Sequence, residues 1–209
     1  MLPIAREGRY GLVMAAALAA VMHWYLGIGY ALPLWLLFVL LLFLFRDLPR
    51  GDVPAMPLAF LSPVDGRITS VALKQDPYLQ RQALCVRVHQ HLAGEFNMHS
   101  PLQGKLAERW LPARGESVQY TIADPDHYVL WMQSDYGEDV VIAVEISSPL
   151  HYMHCDVQTG ERVGQGQRCG LMGFGRPVDI YLPERSRASV AVGDRVRAGN
   201  DILATLKRG

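Results

Sequence analysis

Side chains with reactive chemistry are few and scattered in this chain. Three cysteines (Cys85, Cys155, Cys169) and seven histidines are spread over 209 residues. Cys155 lies beside His154 and close to His151, which raises a metal site. The spacing argues against one. Three ligands within five residues of one strand cannot converge on an ion, and no CxxC or HxxxH completes a set, so no metal is expected. An odd, low cysteine count without CxxC predicts free thiols in a reducing compartment. The other conspicuous stretch is GLMGFGRPVDIYLP, residues 170–183. Gly170, Gly173 and Gly175 predict backbone that bends sharply or approaches something closely. Arg176-Pro177 then leads into a strand-like VDIYL.

The elements that must position these residues divide into two kinds. From Tyr10 to Phe45 there is no Asp, Glu, Lys or Arg. One spanning helix needs roughly 20 apolar residues. The run breaks within HWYLGIGYALP (23–33), where Gly and Pro favour a turn and aromatics favour a membrane interface. Two short helices are predicted, roughly Tyr10–Leu26 and Tyr30–Phe45, as a hairpin over residues 1–50 that spans the bilayer or only dips into it. Arg6 and Arg9 precede it and Arg46 and Arg50 follow it. The positive-inside rule puts both ends, and the following domain, on the cytoplasmic side of the inner membrane. A cleaved signal peptide fits poorly, because a second apolar helix follows at once.

Residues 51–209 read as mainly β. Asp52 to Pro63, with three prolines, predicts an extended linker. GRITSVAL (66–73), ALCVRVHQ (83–90), KLAERWL (105–111), SVQYTI (117–122), HYVLWMQ (127–133) and DVVIAVEIS (139–147) are β-branched or aromatic and separated by turn residues. VDIYLP (178–183), ASVAV (188–192) and DILATL (201–206) continue the pattern. An antiparallel sandwich or partial barrel is predicted, with at most one or two short helices. The tail VGDRVRAG fits a small hammerhead-like β element and, by itself, says nothing about chemistry. Formal net charge is +0, so no nucleic-acid partner is expected. A homo-oligomer remains open.

Three motifs stand in order: LSPVDGRITSV (61–71), EFNMHSPLQGKL (95–106) and ERVGQGQRCGLMGFGRPVDIYLP (161–183). With an apolar hairpin ending in FRDLPR, they resemble the phosphatidylserine decarboxylase family over nearly the whole chain. The resemblance implies a proenzyme. In the family, the serine of a Gly-Ser pair attacks the preceding carbonyl and becomes an N-terminal pyruvoyl group. That group is the electron sink for loss of CO2. The resemblance also carries the family's assisting Asp onto Asp65 and its His onto His99. Both types suit the task, since an imidazole can take a hydroxyl proton and a carboxylate can orient it. Read without the resemblance, Asp65-Gly66 is an ordinary turn pair and His99 before Ser-Pro a capped turn histidine.

The processing position is Gly175-Arg176, with arginine in the serine's place. Arginine has no hydroxyl or thiol and stays protonated. Ser147, Ser148 and Cys169 do not sit at the corresponding strand entrance. An uncleaved chain without pyruvoyl is therefore expected. Three functions follow as alternatives. The first is conversion of phosphatidylserine to phosphatidylethanolamine. The second is a membrane-tethered pseudoenzyme that binds an aminophospholipid headgroup, Arg176 pairing with its phosphate, or that regulates an active relative. The third is an anchored interaction module with the tail as partner surface.

Overall fold

The computed structural model describes residues 9–44, 56–91, 94–110, 127–146, 153–173 and 177–207. The chain forms two compact units, Met1–Pro49 and Arg50–Gly209. The first holds two helices, α1 (Arg9–Leu26) and α2 (Ile28–Leu44). Gly27 joins them at φ +82°, a left-handed value that closes a helix end cheaply when the residue has no Cβ. The turn is therefore narrower than expected. The second helix starts at Ile28 and runs through Pro33. Ala15, Ala19 and Ala31 are buried, while Val13, Leu18, Val21, Leu36, Val39 and Leu40 face outward. Small residues thus let the pair pack, and the apolar bulk lies outside. Among the described residues, no helix is long and apolar enough to cross a membrane.

The second unit is β throughout its described residues. Its strands are β1 (Ala59–Leu61), β2 (Gly66–Asp76), β3 (Arg81–Gln90), β4 (Asn97–His99), β5 (Gly104–Trp110), β6 (His127–Ser134) and β7 (Asp139–Glu145). They continue with β8 (Met153–Cys155), β9 (Arg162–Val163), β10 (Arg168–Met172), β11 (Pro177–Pro183), β12 (Ser186–Ala188), β13 (Arg195–Val196) and β14 (Ile202–Leu206). Three antiparallel sheets result. The large one runs β13-β2-β3-β11-β7-β6-β5-β9 and is open at both edges, so it does not close into a barrel. The small ones are β1-β14-β12 and β4-β10-β8. One core draws on all three sheets, through Val86, Ile142 and Ile180, then Phe60 and Leu203, then Met98 and Met172. The opposite face of the large sheet has its own cluster, where Trp110 stacks on Trp131 and on Tyr78.

Two expectations fail for local reasons. The proposed linker contains β1, because Ala59, Phe60 and Leu61 are buried and pair with β14 between Pro57 and Pro63. The ASVAV strand stops at Ala188. Asp194 Oδ2 accepts the Ala191 N–H at 2.8 Å and Gly193 takes φ +101°, which turns the chain instead of extending it. The SVQYTI stretch lies outside the described residues.

Candidate active site

Asp65 sits in the turn between β1 and β2, a turn braced by the Ser62 hydroxyl donating to Val64 O at 2.7 Å. Its carboxylate is gripped from two sides. Oδ2 accepts the Glu95 N–H at 2.9 Å, and Oδ1 accepts the Ala198 N–H at 2.8 Å. Its carbonyl accepts the His91 N–H at 3.0 Å. Gly94 lies close against it, where a Cβ would stand 2.7 Å from Asp65 Cβ. That contact requires glycine at 94. Glu95 is itself fully buried, and its Oε1 accepts from Asn97 Nδ2 at 2.6 Å.

His99 ends β4 and is buried. Its N–H donates to Pro63 O at 2.9 Å, two residues before Asp65. β4 pairs with β10 with Arg168 opposite His99, and β10 pairs with β8. Gly199 underlies the imidazole. A Cβ there would lie 3.0 Å from His99 Cδ2, and the residue has φ +68°. Asp65 and His99 therefore border the same two-residue turn, Ala198–Gly199. The structure brings these two predicted residues to one place.

Gly175 and Arg176 lie outside the described residues. Their flanks are placed. β10 belongs to a small sheet, while β11 lies between β3 and β7 in the large one, with Pro177 opposite His89. The third motif thus carries the chain from one sheet to the other. Gly170 is a strand residue inside β10, and a Cβ there would meet the His154 carbonyl oxygen at 2.1 Å. It serves close strand approach and not a bend.

Other nucleophile types near His99 are committed elsewhere. The Ser100 hydroxyl is fully buried and donates to Leu102 O at 2.6 Å. The Cys169 thiol is buried against Met98 O at 3.5 Å, and burial pushes its pKa far up. His154 and Cys155 point to opposite sides of β8, one exposed beside Asp156 and the other in the core. His151, Ser147 and Ser148 lie outside the described residues. Glu95, Gly94, Ala198 and Gly199 escaped the sequence reading. Only the second glycine of VGDRVRAGN hinted at a special backbone position, and the tail, whose pattern says nothing about chemistry, supplies a donor to Asp65.

The sequence profile described as phosphatidylserine decarboxylase matches residues 40–204. The chain belongs to the phosphatidylserine decarboxylase family. It is 38% identical over 204 residues to a phosphatidylserine decarboxylase proenzyme of Nitrosomonas europaea, covering 96% of this chain and 94% of that protein. A proenzyme of the same name from Burkholderia ambifaria is 37% identical over 209 residues, covering 98% and 97%. That of Nitrosomonas eutropha is 35% identical over 207 residues, covering 98% and 95%. In this chain Asp65 and His99 border one turn, Ala198–Gly199. Position 176 supplies no oxygen or sulfur on Cβ.

Proposed function

We propose that this chain serves phospholipid metabolism as a phosphatidylserine decarboxylase-like protein. Its family reaction is conversion of phosphatidylserine to phosphatidylethanolamine, and Asp65 and His99 are its acid–base pair. The observation that carries the reading is the shared turn: one main-chain N–H holds the carboxylate while the next residue underlies the imidazole. An aminophospholipid headgroup is the ligand. The N-terminal hairpin dips into the cytoplasmic face of the inner membrane without crossing it. Its outward apolar side chains support this, as do Arg6, Arg9, Arg46 and Arg50 at its ends.

Arg176 favours a second reading, an uncleaved pseudoenzyme that holds the headgroup or regulates an active relative. Pyruvoyl formation needs an acyl shift onto an oxygen or sulfur at Cβ and then elimination. The residues here do not fit that group, because Arg176 offers neither atom and both Ser100 and Cys169 are sealed in the interior. Intact-mass spectrometry of the purified chain decides between the readings. A single species near 23.3 kDa retains the pseudoenzyme. Two fragments, the small one blocked at its N-terminus, retain the enzyme and refute the placement of the nucleophile. If the chain is whole, phosphatidylserine binding separates a headgroup-binding pseudoenzyme from a mere anchored module.

A further inference from the structure

We propose that the Ala198–Gly199 turn is the positioning element of the Asp65–His99 pair. Ala198 acts through its N–H, which fixes Asp65 Oδ1 at 2.8 Å. Gly199 acts through its missing Cβ, which leaves the imidazole room to lie against the turn. The inference deepens the function proposed above and rests on Asp65 and His99 being the acid–base pair.

The turn is stiff enough for this role. The Gly199 N–H donates to Ser62 O at 2.7 Å, and the Ser62 N–H donates back to Asp201 O at 2.8 Å. Asp201 Oδ2 closes the turn from inside by accepting the Arg197 N–H at 2.8 Å. β13 is paired with β2, Val196 opposite Gly66. The turn is therefore clamped to the residues on both sides of Asp65. It is also pressed against a second loop, because a Cβ at Gly199 would lie 3.1 Å from Gly166 O. A Cβ at 199 would press on the His99 ring on one side and on Gly166 O on the other. General-base catalysis contributes about 10²–10⁴-fold when the base is correctly placed, so a displaced ring is costly.

Three variants isolate the contact. Gly199→Ala adds both backbone strain and the Cβ. Gly199→Asn adds the same Cβ with a residue that tolerates left-handed backbone. Gly137→Ala is the strain control, with φ +80° and nothing within 4 Å of its added Cβ. The first readout is the NMR titration midpoint of His99 in the otherwise unaltered full chain, assigned by its loss in His99→Gln. Both Gly199 variants shift it, because the added Cβ presses on the ring from the turn. Gly137→Ala leaves it alone. The second readout is self-cleavage in an Arg176→Ser background, slowed about tenfold or more by either Gly199 variant and untouched by Gly137→Ala. An unchanged midpoint in the Gly199 variants overturns the positioning role. An Arg176→Ser chain that stays whole with the native turn refutes the acid–base reading, and the titration still decides the turn.

Discussion

Truncating Asp65 to alanine tests how much structure hangs on the candidate site. The carboxylate receives two main-chain N–H groups, from Glu95 at 2.9 Å and Ala198 at 2.8 Å. Both donor residues are buried, Glu95 at 1% exposure and Ala198 at 0%. Asp65 itself is half-buried, so water reaches part of the space its carboxylate would leave. A fully buried donor left unmade costs about 1–3 kcal/mol, so with partial hydration the two together cost about 2–3 kcal/mol. Asp65→Asn keeps one carbonyl acceptor and turns an amide donor toward the other N–H, so it should cost about half as much. Domains of this size are stable by about 5–15 kcal/mol, so the alanine variant loses a large share. The assay is urea unfolding of the full chain in mild detergent, followed by near-ultraviolet circular dichroism of the Trp110–Trp131 stack. The expected order of midpoints is native, then Asn, then Ala, with unchanged slopes. A loss below about 1 kcal/mol for Asp65→Ala would refute the claim that this carboxylate holds the two segments together.

Gly170→Ala should lose about 3 kcal/mol or fail to fold, because its Cβ would stand 2.1 Å from the His154 carbonyl oxygen; a near-native urea midpoint would sink the close-approach reading. Burial, with Asp179 nearby, pushes the Cys85 thiol from about 9 up to about 11. Between those values the folded chain keeps a proton that the unfolded chain has lost, so stability falls as pH rises, by about 2–3 kcal/mol from this thiol. Cys155, Cys169, Tyr128 and Tyr181 are shifted the same way, so Cys85→Ala should remove only part of the slope of urea midpoint against pH between about 9 and 11. Asp179→Asn breaks a two-bond pair to Arg87 at 2.5 and 2.6 Å, and because the Arg87 side chain is 43% exposed the cost should be only about 1 kcal/mol, shrinking in high salt. If Arg176→Ser does cleave, its fragments should co-elute on native size exclusion, since β11 is held between β3 and β7; separation of the pieces would contradict that topology.

What the sequence disclosed follows the range of the forces involved. β7 was readable from its aliphatic run and β11 from Val178, Ile180 and Leu182 at alternate positions, and Ile142 and Ile180 are indeed fully buried neighbours. β1, β4 and β8 were not, since three residues hold no period and owe their extension to partners far along the chain. α1 was found almost to the residue. α2 starts two residues before the expected Tyr30 because the left-handed Gly27 alone completes the turn. Asp65 and His99 came from the family likeness of two short motifs, not from any local signal. The bond that defines their site joins residues 133 apart in sequence, and no local pattern reports such a contact.

Asp65 and His99 carry structural duties beside the chemistry proposed for them. Asp65 ties the approach to β4 to the turn before β14, and the His99 N–H ties β4 to Pro63. Both bonds belong to the frame of the second unit and exist whatever occupies position 176. Loss of Asp65 would therefore cost stability whether or not the chain cleaves itself. The imidazole is different. The bond to Pro63 uses the main chain of residue 99, which any non-proline residue supplies, so the backbone bond does not require histidine. His99→Gln should therefore leave the urea midpoint within about 1 kcal/mol of native while abolishing cleavage in an Arg176→Ser chain. A stability loss as large as that of Asp65→Ala would show that the histidine, too, is kept for the frame.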